Sequence, residues 1–408
     1  MTSSPKQGAE PILLAFSGGL DTSFCVPWLM DTYQRPVITV TVDTGGIDAA
    51  AAQSLTERSA LLGAMEHHLI DARNAYFNQV LKFLIMGNVR RGNAYPLCVG
   101  AERVLQAQTI AQMALARKFK MVAHGCTAAG NDQVRFEVAL RTLAPELEII
   151  APVRDRAFKR PEQLKYLQDH HLPVPQFGAA YSVNRGLWGV TIGGKETLTS
   201  EGSIPDDAWV LSKDAFTHPR AEEQHTMGFV HGVPDSLDGE RLSAVAIIEE
   251  LESLAGPFGI GRGIHLGDTV IGTKGRVAFE APAADVLLTA HRELEKLVLT
   301  GKQSRIKESV AQLYGDLVHE GQHLDPVCRD IEALMLSSQA RVSGEVRVRF
   351  RPGSVFVEGV SSPYSLMAAS KGVYGESAGE WTPADALGYS KMLALTGVFY
   401  KRAGGAEA

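Results

Sequence analysis

The sequence predicts an α/β fold: a doubly wound parallel sheet in the first part of the chain, then an α+β domain, then a C-terminal helix. Three observations carry this. From residue 11 to about residue 153, apolar strand-like runs alternate with helix-length runs, the pattern of βαβ units. The stretch Ala15-Phe16-Ser17-Gly18-Gly19-Leu20-Asp21-Thr22-Ser23 joins the first such strand to the first such helix through two adjacent glycines. A second polar, glycine-bearing turn, His124-Gly125-Cys126-Thr127, ends a later strand.

In chain order, candidate strands lie at residues 12–16, 37–42, 67–70, 120–124 and 147–153, with candidate helices at 21–33, 49–62, 75–85, 101–119 and 133–143. Pro27 either kinks the first helix or marks its first turn. Ligands of doubly wound sheets sit at the carboxyl ends of the strands. The 17–23 turn ends the first strand, Asp43-Thr44-Gly45-Gly46 the second and residues 124–127 the fourth. The three turns converge on one crevice if those strands are neighbours. His67-His68 begins a strand and reads as structural.

Residues 161–169 read as one more helix, and Leu172-Pro173-Val174-Pro175-Gln176-Phe177-Gly178 as an extended linker. This sets domain boundaries at 1–172, 173–380 and 381–408. Residues 181 to about 240 are rich in Gly, Ser, Asp and Pro with weak periodicity. They read as irregular, with short strands such as 227–230. Helices are expected at 240–254, 284–299, 302–318 and 326–336. Alternating runs at 340–350 and 354–360 predict an antiparallel pair joined at Arg351-Pro352-Gly353. The last helix, 383–400, has Thr382 as N-cap, Pro383 at N1 and Asp385 at N3. Its apolar face suits packing on another subunit or on its own domain.

With 408 residues there is enough chain for two or three domains and a large core. The net charge of -6 argues against a dedicated nucleic-acid binder. The four cysteines, Cys25, Cys98, Cys126 and Cys328, are far apart and contain no C-x-x-C pair. A disulfide framework or zinc-finger site is therefore not expected, and a cytoplasmic location is. There is no run of 18 apolar residues, so no membrane span is expected.

Residues 15–23 suit a phosphate. Adjacent glycines expose backbone N–H groups, Ser17, Thr22 and Ser23 add hydroxyl donors, and the helix start adds partial positive charge. The stretch is not a Walker A loop, because no Lys-Ser/Thr pair follows its last glycine. A metal or side chains elsewhere must therefore supply the cation. Asp21 either helps hold such a metal or is an N-terminal helix carboxylate.

The stretch 124–137 runs from a strand end through a glycine loop into a helix, with Thr127, Asn131, Asp132 and Arg135 along it. Asn131 or Asp132 suits an N-cap. Arg135 lies one turn after Asn131 on the same face. A carboxylate for an ammonium beside a guanidinium for a carboxylate fits a zwitterionic amino acid. Tyr95, before Pro96, reads first as a packed loop aromatic, and Ser182 and Thr191 as turn hydroxyls. His319-Glu320-Gly321-Gln322-His323 matches the H-E-x-x-H zinc pattern, but it falls at a helix end with Gly321 inside it. It reads as a polar helix terminus. No nucleophile elbow is present.

Together these stretches resemble the argininosuccinate synthases of the N-type ATP pyrophosphatase superfamily. Further matches are Leu143-Ala144-Pro145, Tyr181-Ser182, Ile271-Gly272-Thr273-Lys274-Gly275-Arg276 and Ser361-Ser362-Pro363-Tyr364-Ser365-Leu366, in family order. The resemblance implies an AMP-forming carbon–nitrogen ligase of arginine biosynthesis, with a nucleotide-binding domain followed by a synthetase domain. The ureido oxygen of citrulline attacks the α-phosphate of ATP, giving citrullyl-AMP and pyrophosphate, and the amine of aspartate displaces AMP. By the family pattern Ala15, Phe16, Ser17, Gly18, Gly19, Leu20, Asp21, Thr22, Ser23, Val42 and Gly125 hold ATP, with Mg²⁺. Thr127, Asn131 and Asp132 hold aspartate, and Tyr95, Asn131, Arg135, Ser182 and Thr191 hold citrulline. Asp21, Asp132 and Arg135 are the candidate catalytic residues. The family is typically a homotetramer with a C-terminal oligomerisation helix.

The chain departs from the family pattern at four places. Cys98-Val99-Gly100 replaces a Gly-Thr-Ser, Gly267 falls at a Glu, Phe279 at a Tyr and Ala129 at a Lys. Either a rearranged set using Asp268 and Arg103 holds citrulline, or a modified citrulline is accepted. Two further expectations compete: adenylation of a different acceptor such as a tRNA base, and a nucleotide-binding homologue without activity.

Overall fold

Alternate burial along the first strand sets the architecture. The computed structural model describes residues 9–174, 181–370 and 380–404. Strands β1 (Ile12–Ala15), β2 (Val37–Asp43), β3 (Glu66–Asp71), β4 (Met121–Ala123) and β5 (Glu148–Ile150) form a parallel sheet in the order β3-β2-β1-β4-β5. Ile12 and Leu14 point into one core with Phe24, Leu29 and Ile150, while Leu13 points into the other with Ile38 and Val40. That is the period-two alternation of a strand covered on both faces. Leu14 registers with Thr39 of β2 and with Ala123 of β4. β1 is therefore the switch point of the sheet, and the turns after β1, β2 and β4 converge as expected.

The first helix, Leu20–Tyr33, continues past Pro27, so the proline does not mark its first turn. The expected helix at 75–85 is divided into Arg73–Tyr76, a π-helical turn Phe77–Leu81, and Lys82–Gly87. β5 ends at Ile150 rather than 153, because Pro152 opens the short helix Pro152–Asp155.

The second part of the chain corrects one expectation. Although residues 194–222 contain no strand, residues 181–240 hold more strand than expected. They contain β6 (Ser182–Gly186), β7 (Gly189–Gly193), β8 (Glu223–Val230), β9 (Val233–Leu237) and the short β10 (Glu240–Arg241). Polar/apolar alternation is weak there because β6 is exposed along most of its length, while β7 is buried on both faces until its last residue. With β11 (Arg262–Asp268), β12 (Lys274–Glu280), β13 (Gly344–Arg351) and β14 (Ser354–Ser361) they form two antiparallel sheets, β10-β9-β8-β13-β14 and β11-β12-β7-β6. The expected pair at 340–360 is present. Arg351 faces Ser354 across a turn that holds Gly353 at φ 75°. The proposed linker lies partly outside the described residues, at 175–178.

Helices Ala244–Ala255, Pro282–Val298, Gly301–Glu320 and Pro326–Gln339 occupy the expected places. Gly301–Glu320 ends at Gly321, whose φ of 83° closes the helix in the left-handed conformation. The second half of H-E-x-x-H thus lies beyond the helix. The last helix, Pro383–Ala403, starts at Thr382 with a reciprocal bond to Asp385. None of its residues is buried, and it exposes Met392, Leu393, Phe399 and Tyr400.

Candidate active site at the strand ends

The turn after β1 is wound by its own side chains. Gly18 adopts φ 71°, and a Cβ there would lie 2.5 Å from Leu55 Cδ2. Ser17 N–H and the Ser17 hydroxyl both reach Thr22 Oγ1, at 3.3 and 3.2 Å. Ser23 Oγ donates to the Gly18 carbonyl. These bonds open the loop around a cavity of about 610 Å³ lined by Ala15, Phe16, Ser17, Gly18, Gly19, Asp21, Thr22, Val42, His124 and Gly125. Leu20 and Ser23 lie behind the lining, Leu20 in the core. Gly125 admits the helix start, since a Cβ there would sit 2.9 Å from Thr22 Cγ2. Arg58 also lines the cavity and donates to the Gly18 carbonyl at 2.6 Å. Sequence reading missed this cation, because it comes from a neighbouring helix rather than from the loop.

A second cavity of about 290 Å³ adjoins the first, and Arg103, Asp132 and Asn184 line both. The helix Asn131–Leu143 starts here, and its N-cap is Gly130 without a side-chain cap bond. Neither Asn131 nor Asp132 serves as the cap, so both side chains are free for other work. Asn131 Oδ1 accepts from Val270 N–H at 2.9 Å, which ties the helix start to the turn between β11 and β12. Asp132 accepts from Arg103 Nε at 3.0 Å and from Arg135 Nη1 at 2.8 Å. Burial alone would raise the Asp132 carboxyl, but the two guanidinium groups outweigh it and hold it below the ordinary range.

Arg135 is buried and donates through Nε to the carbonyl of His319 at 2.8 Å. Its Nη2 lies 3.2 Å from His319 Nδ1. Burial and the Arg135 charge push His319 down to about 3, so it is neutral. The guanidinium donates to Nδ1, which leaves the proton on buried Nε2, on the side of the Asp268 backbone. The expectation that His319 is only a polar helix end missed this position in the lining. The only signal in the sequence was the motif itself, read for a metal.

Tyr95 and Thr191 line the second cavity, with Thr191 in register with Asn184. Ser182, paired with Gly193, and Thr127, which is exposed, lie outside both linings. Tyr95 stacks on His265 with ring centroids 5.4 Å apart and rests on Phe279. Two departures from the family pattern make room for neighbours. A Cβ at Gly100 would lie 3.1 Å from Arg135 Nη2, and a Cβ at Gly267 would lie 2.5 Å from His265 Nε2. Asp268 sits at the rim, paired with Lys274 at 2.5 Å.

The β6–β7 hairpin covers both cavities. Leu187 N–H donates to the Thr44 carbonyl at 3.0 Å, and Gly45 leaves the space that Leu187 occupies. Among the described residues no group of three or more His, Cys, Asp or Glu is placed to hold a metal, and no helix is long and apolar enough to cross a membrane.

The arrangement sets a glycine loop at a helix start beside a pocket lined by charged side chains. Comparison with known proteins gives the family. The family model "Arginosuccinate synthase N-terminal HUP domain" matches residues 11–173, and "Arginosuccinate synthase C-terminal domain" matches residues 181–400. The chain is 38% identical to the argininosuccinate synthase of Xanthomonas campestris over 96% of this chain and 98% of the relative. It is 36% identical to that of Dictyoglomus turgidum, over 98% and 99%, and 38% identical to that of Methanocaldococcus jannaschii, over 87% and 89%. With the two family models together covering all three sheets and both cavities, the chain belongs to the argininosuccinate synthase family of ligases.

Proposed function

We propose that the chain joins citrulline to aspartate at the expense of ATP, through a citrullyl-AMP intermediate with release of pyrophosphate and AMP. The observation that carries this reading is the contact of the two cavities through Arg103, Asp132 and Asn184. An α-phosphate held at the loop end of the first can then face a ureido oxygen held in the second. ATP occupies the first cavity, with its phosphates on Ser17, Gly18, Gly19 and Thr22, Ser23 bracing the loop from behind, and its base toward Val42 and Gly125. Arg58 supplies one fixed cation beside the loop. Mg²⁺ fits as the other, with the Asp21 carboxylate facing the cavity without a hydrogen bond or ion pair among the described residues. The ion would neutralise phosphate charge.

Citrulline takes the second cavity, its carboxylate toward Arg135 and its stem along Tyr95 and Thr191, with Asn131 at one end and Ser182 outside the lining. Aspartate is held by Asn131 and Asp132, the latter receiving its ammonium, while Thr127 stays outside the lining. No side chain forms a covalent bond in this scheme. The chain contributes orientation and preorganised charge. Residues 1–172 bind nucleotide and 173–380 complete the amino-acid side. Residues 381–408 present the exposed apolar helix to other copies of the chain in a homotetramer.

The test is AMP formation from ATP with each amino acid omitted in turn. AMP release that requires both citrulline and aspartate is expected. AMP or pyrophosphate release that ignores citrulline would overturn the reading and favour another acceptor.

A further inference from the structure

One buried acid at the junction of the two cavities has no part in the scheme above. Glu102 opens the helix Glu102–Ala116, is 2% exposed and lines the first cavity. Its Oε2 accepts from Thr44 Oγ1 at 2.8 Å, and its Oε1 accepts from Arg103 Nη1 at 3.0 Å. Gln106 closes a ring: its Oε1 accepts from Arg103 Nη1 at 2.9 Å, and its Nε2 donates to Thr44 Oγ1 at 3.0 Å. Four side chains thus form one hydrogen-bonded circuit between a helix start and the turn after β2. The hairpin holds it shut, because a Cβ at Gly186 would clash with Glu102 Oε2.

A buried carboxylate is costly unless charge compensates it, and here the compensating charge is shared. Arg103 faces two carboxylates at once, Glu102 through Nη1 and Asp132 through Nε. Asp132 faces two guanidinium groups at once, Arg103 and Arg135. The other charged group near Glu102 is Asp43 on β2. From the hairpin, Arg185 pairs instead with Glu252.

We propose that Glu102 is a positioning residue: by drawing part of the Arg103 charge to itself, it leaves Asp132 anionic enough to receive the ammonium of aspartate. The inference rests on the assignment of Asp132 to aspartate. Burial raises the Glu102 carboxyl to about 7, despite Arg103 and the Thr44 hydroxyl, which pull it down. The direction of the pH effect follows. As pH falls through neutrality, Glu102 takes a proton, Arg103 is left wholly to Asp132, and aspartate binds less well. As pH rises, Glu102 ionises and the binding returns.

The test is steady-state AMP formation by the full chain between pH 6 and 8.5, with each substrate varied in turn. In the unsubstituted protein KM for aspartate falls about tenfold across this range, the scale of one charge-assisted hydrogen bond, while KM for ATP and citrulline stays flat. Glu102→Gln keeps the shape and most of the ring's bonds. It gives a KM for aspartate fixed near the low-pH value, with kcat changed by less than about threefold. Glu102→Asp restores the pH dependence. A Glu102→Gln profile like that of the unsubstituted protein overturns the inference. So does an equal rise in all three KM values with a lowered Tm, which would make the ring purely structural. Absence of aspartate-dependent AMP formation in the unsubstituted protein would overturn the functional reading and this inference with it; with that activity present, the variants judge the inference alone.

Discussion

Arg135 Nε donates to the backbone carbonyl of His319 across 2.8 Å, joining the start of one helix to the end of another 184 residues away. The bond spends one donor on structure and leaves the guanidinium pinned over the second cavity. Gly321 makes this possible, since a Cβ there would lie 2.8 Å from Arg135 Cα, and its φ is 83°. Arg135→Lys keeps the charge but loses the fork geometry. KM for citrulline is expected to rise about tenfold or more, with KM for ATP little changed. Gly321→Ala is expected to cost about 1 kcal/mol or more of stability and to raise KM for citrulline as well. Thermal unfolding and initial rates check both.

Asp132→Ala removes the carboxylate that two arginines share. The aspartate requirement is expected to rise strongly, while ATP binding measured by calorimetry remains near normal. An equal collapse of ATP binding would show that Asp132 holds the fold of the loop rather than aspartate.

Gly125→Ala places a methyl group 2.9 Å from Thr22 Cγ2 and 3.2 Å from the Asp21 carbonyl carbon. The helix start must shift away from β4. KM for ATP is expected to rise, with KM for the amino acids less affected, as measured by varying each substrate separately.

Glu137 accepts from Arg141 at 2.7 Å, pairs with Arg154 at 2.8 Å and faces His124. The His124 ring 3.8 Å away lowers its carboxyl most, burial opposes this, and Arg154 and Arg141 add to the lowering, to about 2. A lowered carboxyl contributes stability that is present above its unfolded value and lost as pH falls through the folded one. Glu137→Gln is therefore expected to lower Tm at pH 7. The gap to the unsubstituted protein should shrink from about pH 4.5 downward. Parallel melting curves across pH check this.

Removing residues 381–408 is expected to leave ATP binding intact and to reduce the oligomeric state, because no side chain of Pro383–Ala403 is buried. Light scattering coupled to size-exclusion chromatography measures this. An unchanged mass would place the subunit contacts elsewhere.

Local chemistry made much of this protein legible from sequence. The glycine pair at Gly18-Gly19, the alternation of strands and helices, and the cap at Thr382 each depend on residues within a few positions, so the order of elements in the sheet-forming half could be read directly. The β6–β7 hairpin was lost because β6 is exposed and β7 buried on both faces, which erases the alternation that marks a strand. The site divided in the same way. Residues 15–23 form a glycine turn wound by its own hydroxyls at the mouth of the first cavity, and the sequence determined that. Arg58, Glu102, His265 and His319 reach the cavities only because the fold brings distant segments together. Burial and shared charge, which no single stretch encodes, then give Glu102 and His319 their protonation states. What only the tertiary structure decided is how Asp132 and Arg135 are charged and aimed, because their partners lie on other elements of the chain.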